Sequence, residues 1–457
     1  MAMEESVNDK LLRCVYAHPS SEAIGYLDRL PSNPGRSSAV HRLARSLDLI
    51  QIPSKSSDVR EISNRARPLM TKFGNRSDLE IFHDSEYVDY LLKKDKEYEV
   101  DSKDIKGNSS EEEDQLEFDE RGSKSNKGDQ TLEDDSGSDC SCFGIVHDSP
   151  PFPGMGKYAL AVAGAALGIS RELRDDRADI GIVWDGGRHH AQRSRAAGFC
   201  YINDIALSIT ELRKQPAETH LKRLDRVMYI DLDLHHGDGV EAAFWTTSRV
   251  LTVSIHYHDP RGGFYPLTGG VESCGPSEPS PAASHAINLP IKFPGSLRFI
   301  TRRSLVPLIE AYKPSVVLIQ CGVDGLAGDP IGGTVWGFGL EEMGDCVSVL
   351  IEASVSGNSK VMLFGGGGYN TANAARAWSY FTSIALGNRL DLSTEIPFGL
   401  EGDIDYGPSY TLDVPESGRF IPNRSQPIEN DEYIKDLVSR IDKHITILRN
   451  RYCKTSK

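Results

Sequence analysis

Two aspartates and a histidine alternate with leucines along one short stretch of the chain. Asp231, Asp233 and His235 are separated by Leu232 and Leu234. In an extended segment, residues two positions apart share a face, so the polar side chains converge while the leucines point away. Burying two carboxylates and an imidazole without a partner is costly, and a divalent metal ion offsets that cost. The stretch therefore predicts a metal site.

A distant aspartate completes the predicted ligand set. Asp233, His235 and Asp324 would hold the metal and leave positions for water and substrate, as a catalytic zinc site requires. Asp231 would then lie behind the ligands. The same oxygen and nitrogen donors also suit Fe(II) or Co(II), so ligand type favours zinc without excluding these metals. An Asp/His cluster held by hydrogen bonds alone is the alternative without a metal.

The pair His189 and His190 fits acid–base chemistry. A metal hydrolase needs a base for the attacking water and an acid for the leaving amine, and imidazole titrates in the right range for both. Asp231 and Asp238 would each orient one imidazole. The alternative is a surface dipeptide or a polar pair without a catalytic role.

Four glycines, Gly365 to Gly368, directly precede Tyr369. The run lacks a following Lys-Ser/Thr and the GxGxxG spacing, so a nucleotide-binding loop is not indicated. Glycine lets the backbone approach a neighbouring site closely, and Tyr369 would then place its hydroxyl beside the metal. A core tyrosine at the start of a helix is the alternative.

All these polar stretches follow apolar runs, and the runs alternate with helical patterns. The predicted strands are Ile180 to Trp184, Arg226 to Leu232, Val250 to Ser254, Ser315 to Gln320 and Lys360 to Phe364. The predicted helices are Lys157 to Leu173, Asn203 to Arg213, Leu297 to Tyr312, Leu340 to Ser354 and Thr371 to Leu386. This order predicts an α/β fold: a single open, mostly parallel β-sheet with helices on both faces and the site at the carboxyl ends of the strands.

The charge of the 457-residue chain is concentrated in one segment. The net charge is −15, and Asp95 to Asp139, with 17 acidic and 6 basic residues, contributes −11 of it. We expect residues 95–140 to be an acidic low-complexity insert that is disordered. Residues 10–94 and 141–400 are predicted to form a single catalytic domain, and 401–457 a partly helical C-terminal extension.

Composition also limits the partners. No basic run offers a surface for nucleic acid phosphates, so direct nucleic acid binding is not expected. The longest weakly apolar run, Tyr158 to Ile169, is too short to span a bilayer. Met1 to Lys10 is acidic and lacks the pattern of a secretory signal, so we expect the eight cysteines to be free thiols in a reducing compartment.

Together these stretches resemble the zinc-dependent histone deacetylases in order and spacing. The main motifs are Gly187 to Ala191, Gly198 to Asp204, Asp231 to Val240 and Gly365 to Asn370, joined by Asn33 to His41 and Asp148 to Pro150. The run Gly198 to Asp204 resembles class I. The resemblance implies the arginase/deacetylase-like arrangement of the predicted sheet.

The resemblance also implies a role for each site residue. His190 would be the general base and then the acid, while His189 would act mainly through its charge. The implied catalytic residues are His190, His189, Tyr369, Asp238 and Asp231. The implied zinc ligands are Asp233, His235 and Asp324. The implied substrate-binding residues are Asp148, Gly198, Phe199, Tyr265 and Ile331. A monovalent cation such as K⁺ is implied at Asp231, Asp233, His235, Ser254 and Ile255, and also at Phe244, Thr247 and Val250.

The implied activity is hydrolysis of Nε-acetyl-lysine in histones or other nuclear proteins, which makes the protein a chromatin regulator that represses transcription. The nucleus is the expected compartment, with the cytoplasm as a second one. Asn33, Pro330 and Ala372 stand where family members use a Lys and two Arg for an inositol phosphate. We therefore expect an enzyme that acts without an inositol-phosphate-bridged co-repressor. Tyr265 also departs from the family, which usually has Phe there.

Two other functions remain open at this point. One is a hydrolase of acetylpolyamines or other small acyl amides on the same fold, although such relatives lack the run Gly198 to Asp204. The other is an inactive scaffold that binds acyl-lysine. Loss of a metal ligand, of His190 or of Tyr369 would indicate the scaffold, and the chain retains all of them.

Overall fold

The computed structural model describes residues 12–51, 64–93, 140–397, 400, 404–414 and 427–453. The predicted acidic insert, residues 95–140, lies outside the described residues except for residue 140, so its disorder stays a prediction. The same holds for the two ends of the chain. The seven cysteines whose side chains are described are free thiols. No helix in these ranges combines the length and the apolar character needed to cross a membrane.

Eight strands form one sheet, and each pairing between neighbours is parallel. The strands are β1 (Cys14–His18), β2 (Arg67–Met70), β3 (Ile180–Val183), β4 (Val227–Asp231), β5 (Val250–His256), β6 (Ala286–Pro290), β7 (Val316–Gln320) and β8 (Lys360–Phe364). Their order across the sheet is β2-β1-β3-β8-β7-β4-β5-β6. The chain thus passes from one half of the sheet to the other, and the four strands followed by predicted site residues are adjacent at its centre.

Helices cover both faces of the sheet, as predicted. They are α1 (Ser21–Leu27), α2 (Arg36–Ser46), α3 (Arg76–Leu79), α4 (described over residues 85–93), α5 (Met155–Arg174), α6 (Asp204–Leu212), α7 (Asp238–Phe244), α8 (Ser296–Ile300), α9 (Val306–Tyr312), α10 (Leu340–Ser356), α11 (Thr371–Ala385) and α12 (Glu432–Tyr452). Helices α5 and α6 pack against one set of alternate strand residues, and α2, α10, α11 and α12 against the other. Because successive residues of a strand point to opposite faces, each strand contributes to both cores.

The predicted helix Leu297 to Tyr312 is interrupted. A π-helical turn, Thr301–Leu305, separates α8 from α9, and Pro307 lies in the first turn of α9. Proline has no backbone N–H and its ring clashes with the preceding turn, so a regular α-helix does not continue through this point. The π-helical turn thus lies directly before the proline-containing turn.

Helix α12, in the predicted C-terminal extension, packs into the main hydrophobic core. Its buried side chains are Ile434, Leu437, Ile441, Ile445 and Leu448. The apolar residues recur at intervals of three and four, which places them on one face of the helix. The hydroxyl of Tyr433 also donates to the carbonyl of Pro290 at 2.6 Å, which ties the start of the helix to the end of β6.

We predict that Ile441→Ala destabilises the whole protein. Ile441 is 1% exposed, and truncating a buried isoleucine typically costs about 2–5 kcal/mol of unfolding free energy. Denaturant unfolding would measure this loss. Lys443→Ala, an exposed position on the same helix, is the control and should change stability by no more than about 0.5 kcal/mol. Equal stability of the two variants would show that α12 is not part of the cooperative core.

Candidate active site and metal centre

The predicted chemical residues meet at the carboxyl edge of the sheet. Strands β3, β8, β7 and β4 are consecutive neighbours, and polar residues follow each of them. In a parallel sheet these strand ends lie at one edge, where α/β proteins bind their ligands. The strand order therefore explains why residues distant in sequence come together.

Asp233, His235 and Asp324 form a compact buried cluster. One potential ligand atom from each residue lies within 4.8 Å of the other two. The Nδ1 atom of His235 is 2.9 Å from Oδ2 of Asp324 and 3.3 Å from Oδ1 of Asp233. Leu232 and Leu234 point into the core instead, in agreement with the expected alternation.

The remaining oxygens of the two aspartates are held by amide groups. Oδ2 of Asp233 accepts from Nε2 of Gln320 and from the backbone N–H of Gly367, both at 2.8 Å. Oδ1 of Asp324 accepts from the backbone N–H of Leu234 at 3.1 Å. Each carboxylate is thereby oriented and keeps one oxygen directed to His235. Such fixed orientation is typical of metal ligands.

The electrostatics of the cluster also fit a cation. Burial and the negative charge of Asp233 raise the pKa of Asp324 to about 7. Burial lowers the pKa of His235, but hydrogen bonds to Asp233 and Asp324 outweigh this effect and raise it to about 10. The two carboxylates thus strongly favour a positive charge between them. A divalent ion bound by two carboxylates and one imidazole satisfies this demand, and the donor set suits zinc.

Close approach at this point requires glycine. A Cβ atom added to Gly367 would lie 2.5 Å from Oδ2 of Asp324 and 2.9 Å from Oδ2 of Asp233. Any other residue would displace the aspartates, because real Cβ contacts essentially never come below 3.0 Å. The glycine run therefore lies where a close approach was expected from the sequence.

The adjacent histidines contact different aspartates. Nδ1 of His189 donates to Asp231 and Nδ1 of His190 donates to Asp238, each at 2.7 Å. Because an ionised carboxylate only accepts hydrogen bonds, both Nδ1 atoms carry a proton. The ring centroids are 4.0 Å apart, so the charge on one imidazole acts directly on the other.

The two histidines consequently differ in charge. Burial lowers the pKa of His189, but Asp231 and Asp233 outweigh it and raise the pKa to about 9. Burial, and then the positive charge of His189, lower the pKa of His190 to about 4. Near neutral pH His189 is protonated and His190 is neutral, so Nε2 of His190 is free to accept a proton.

Tyr369 lies at the reaction centre and is held through its backbone. Burial and the charge of Asp324 raise its pKa well above 10, so the hydroxyl stays protonated. Oδ2 of Asp329 accepts from the backbone N–H groups of Tyr369 at 2.7 Å and Asn370 at 3.3 Å. Oδ1 of Asp329 accepts from the N–H group of Ile331 at 2.9 Å and of Gly332 at 3.3 Å. One buried carboxylate thus joins the tyrosine segment to the neighbouring loop.

Aromatic side chains lie between the reaction centre and the surface. The ring of Phe199 is 5.6 Å from that of Tyr369, and the ring of Tyr265 is 5.0 Å from that of His190. Tyr265 is 40% exposed and Ile331 38% exposed, whereas the histidines are buried. The rings of Phe199 and Tyr265 therefore flank Tyr369 and His190 on the side of the site that opens to solvent.

The rim of this opening includes Asp148. Its Oδ2 atom accepts from the backbone N–H of Gly198 at 3.0 Å. Gly198 and Phe199 both have a left-handed backbone conformation, with φ values of 54° and 63°. This conformation is strained for phenylalanine and positions its ring against Tyr369.

The residues predicted to hold a monovalent cation fall into two places. Asp231 and Ser254 pair across β4 and β5. The first set, which lies at or near the carboxyl ends of these strands, consists of Asp231, Asp233, His235, Ser254 and Ile255. Phe244 ends α7, Val250 begins β5 and Thr247 lies in the turn between them, where its N–H donates to the carbonyl of Phe244 at 3.1 Å. The cation itself stays a prediction.

Several residues of this region received no role from the sequence. Nδ2 of Asn33 donates to the carbonyl of Gly368 at 2.8 Å, so this position supports the glycine run. His41 contacts Asp185 at 2.8 Å and Tyr16 at 2.9 Å in a buried chain behind the site. Gln320 and Asp329 were also missed. Gln320 is the last residue of a predicted strand, so a search for every polar residue at those ends would have found it. Asp329 lies in the loop that follows this strand, where the sequence gives no such signal.

Comparison with known proteins agrees with this geometry. The histone deacetylase domain matches residues 30–385. Histone deacetylase 6 of Arabidopsis thaliana is 39% identical over 298 residues, which are 65% of this chain and 56% of that protein. Histone deacetylase 8 of Danio rerio is 40% identical over 292 residues, covering 63% of this chain and 71% of the relative.

A third relative matches almost from end to end. Histone deacetylase 8 of Xenopus tropicalis is 32% identical over 431 residues, which are 93% of this chain and 96% of that protein. The plant relatives differ in extent, because the chain spans only slightly more than half of their length. The matched domain covers most of the chain and contains every residue of the metal cluster, and the chain therefore belongs to the histone deacetylase family.

Proposed function

We propose that the protein is a zinc-dependent protein lysine deacetylase of the class I type. Its substrate is Nε-acetyl-lysine in a histone or another nuclear protein. The observation that carries this proposal is the imidazole of His190, held by Asp238 with its ring 6.0 Å from that of His235, beside the cluster of Asp233, His235 and Asp324. Family membership supports the acetylated protein as the substrate class.

Asp233, His235 and Asp324 would hold the zinc ion, which would supply a Lewis acid for the amide carbonyl and lower the pKa of water. Nε2 of His190 takes the proton of the attacking water and later gives a proton to the leaving lysine amine. Asp238 keeps this ring in the required tautomer. His189, held by Asp231, contributes a positive charge near the developing negative charge.

The other side chains bind and orient the substrate. The hydroxyl of Tyr369 donates to the carbonyl oxygen of the acetyl group as negative charge develops there. Phe199 and Tyr265 pack against the lysine methylenes, and the carbonyl of Gly198 accepts from the amide N–H. The second oxygen of Asp148 accepts from the peptide backbone at the rim. This arrangement orients the scissile amide and keeps water away from the apolar stem.

We also infer a monovalent cation such as K⁺ at the ends of β4 and β5. The buried carboxylates of Asp231 and Asp233 favour positive charge there, and the side chain of Ser254 adds an oxygen. A nuclear location, where deacetylation of histones represses transcription, follows from the family resemblance alone. Asn33 is bonded to the glycine run, which supports action without an inositol phosphate at that position.

The proposal predicts a preference for peptides over acetylated polyamines. The protein should release acetate from an acetyl-lysine peptide with the higher kcat/KM, because Asp148 contacts a backbone that a polyamine lacks. A chelator should abolish this activity and added zinc should restore it. Acetate release from both substrates measures the preference. Faster turnover of the polyamine would support the small-substrate alternative, and no turnover of either would support an inactive scaffold.

Tyr369→Phe should lower kcat greatly with little effect on folding. Loss of one donor to the developing oxyanion typically costs about 10²–10³ in kcat, or roughly 2.7–4 kcal/mol. Rate, zinc content and melting temperature on one preparation would measure the effect. The control is Tyr312→Phe, which removes a hydroxyl bonded to the carbonyl of Ser248, away from the site. A near-normal kcat for Tyr369→Phe would assign this residue to packing.

Asp329→Asn should lower kcat by about tenfold. The new side chain has an NH2 group in place of one carboxylate oxygen, and this group cannot accept the hydrogen bonds from the backbone that hold the Tyr369 segment. If Asp329 acts through the tyrosine hydroxyl, the same change in a Tyr369→Phe background should alter kcat less than about twofold. A kinetic double-mutant cycle measures this coupling. Asp391→Asn, which alters a similar contact to the N–H of Ser393, is the control. Additive effects would show that Asp329 has only a structural role.

A further inference from the structure

Exposed apolar side chains are concentrated at the opening of the site. In the part of the chain that the structure describes, the large apolar residues with exposed side chains are Met70, Tyr265, Leu267, Ile331 and Tyr410. Tyr265 and Leu267 belong to one loop at the opening, and Ile331 belongs to the loop that Asp329 joins to Tyr369. Scattered exposed apolar residues need no explanation, whereas a group of them beside an active site indicates a contact surface.

Leu267 is the most exposed residue of this group, at 62%. Its backbone has a φ of 71°, in the left-handed region that bulky residues other than glycine rarely adopt. Such a conformation is strained for leucine, and glycine or asparagine would fit it better. The fold therefore gives no reason for a leucine at this position. Strain of this kind, when it is observed, often accompanies a functional contact.

The backbone that carries Leu267 is anchored to the sheet. Nδ1 of His236 is 2.8 Å from Oγ1 of Thr268, directly after the leucine. Nε2 of His256 donates to the carbonyl of Gly269 at 2.8 Å. Both histidines are buried. The leucine is thus presented on a fixed backbone, so a ligand that packs on it orders little additional chain.

On its other side the same loop is anchored beside the metal ligands. The N–H of Leu267 donates to the carbonyl of Phe264 at 3.0 Å, and the ring of Phe264 stacks on that of His235 with centroids 5.0 Å apart. Tyr265 lies between the two ends of this turn, with its ring 5.0 Å from that of His190. One tight turn therefore joins the outer leucine to the aromatic wall of the opening.

This turn determines which part of a substrate reaches the leucine. Under the proposed function, the stem of the modified lysine lies against Tyr265. The next residue of the substrate is about 3.8 Å away along its backbone and lies outside the opening, on the side of Leu267. An apolar side chain there would remove the leucine from water, which is favourable in proportion to the area covered. A polar side chain would lose water without gaining a partner from leucine.

We propose that Leu267, together with Tyr265, binds the apolar side chain of a residue directly next to the modified lysine. The proposal rests on the hydrolase function argued above and names the substrate class of the same site. That class consists of proteins in which an aliphatic or aromatic residue adjoins acetyl-lysine. Peptides with basic or small polar neighbours would leave the leucine exposed and are poorer substrates. The chemical step is unchanged, because the neighbour contributes only to binding and orientation.

Matched peptides test this contact. The full chain is assayed for acetate release from peptides that differ only in the neighbour of acetyl-lysine, which is leucine or its polar near-isostere asparagine, on either side. The unchanged protein should favour leucine on one side by about fivefold or more in kcat/KM. In Leu267→Asn this ratio should fall to within about twofold, since asparagine keeps the shape and suits the left-handed backbone. Leu267→Met keeps an apolar side chain and should retain most of the preference.

The control is Met70→Asn, which alters another exposed apolar residue at the end of the edge strand β2. It should leave the ratio between the two peptides unchanged. Because each ratio is measured within one variant, a general loss of activity cancels. Equal rates for the two peptides, a preference for asparagine, or a leucine preference that survives in Leu267→Asn overturns the contact. Each of these results leaves the deacetylase proposal intact.

Binding separates this proposal from the deacetylase function. If no acetyl peptide is hydrolysed, the deacetylase proposal fails, and fluorescence anisotropy with the same labelled peptides decides the contact. Tighter binding of the leucine peptide that is lost in Leu267→Asn supports it. Equal or absent binding of the two peptides overturns it.

A second copy of the chain is the other apolar surface that could cover Leu267. Sedimentation velocity therefore compares the unchanged protein with Leu267→Asn. The same association state in both supports the substrate contact, since the leucine is then free of any interface between copies. An oligomer that dissociates in Leu267→Asn would assign the leucine to self-association and overturn the proposal.

Discussion

The organisation of the site depends on the burial of negative charge at the carboxyl ends of β4 and β7. Asp233 and Asp324 are fully buried and 2.9–3.3 Å from the same imidazole nitrogen. Without a compensating charge this arrangement would be unstable. The surrounding residues partly compensate this negative charge, since Gln320 and Gly367 both donate hydrogen bonds to Asp233. Gly367 can come this close to the aspartates because it has no side chain. The metal centre and the backbone around it are therefore one electrostatic unit.

The same charge distribution separates the properties of two adjacent histidines. His189 is bonded to the fully buried Asp231 and also lies near Asp233, so it keeps a proton. His190 is bonded to Asp238, which is closer to solvent, and the charge of His189 opposes its protonation. Two residues of one chemical type thus acquire different charge states from their partners, one positive and one neutral. Geometry of this kind is the physical basis for assigning a base and an electrostatic group in neighbouring positions.

The sequence was sufficient to predict the central strands and the convergence of their polar ends. Apolar runs that change abruptly to polar residues indicate strand ends in a parallel sheet. The alternation of polar residues with leucines around Asp233 predicts which side chains share one face of the segment. Other features depend on distant contacts. The edge strand Arg67–Met70 contains a proline and an exposed end, so it lacks a strand pattern. The clamp of Asp329 on Tyr369 joins residues 40 positions apart. The burial of Arg188 depends on tertiary packing and could not be predicted from the sequence, because a charged residue is normally expected at the surface.

The carboxylate of Asp329 has a mechanical consequence. One of its oxygens accepts from the half-exposed Ile331 segment and the other from the partly buried Tyr369 segment. Because one carboxylate accepts from both segments, a shift of the outer segment would be passed to the backbone of Tyr369. Under the proposed function, docking of the residues that flank the modified lysine would then be coupled to the alignment of the hydroxyl. A long substrate would tune the reaction through this linkage, whereas a free acylated amino acid would engage only its inner end.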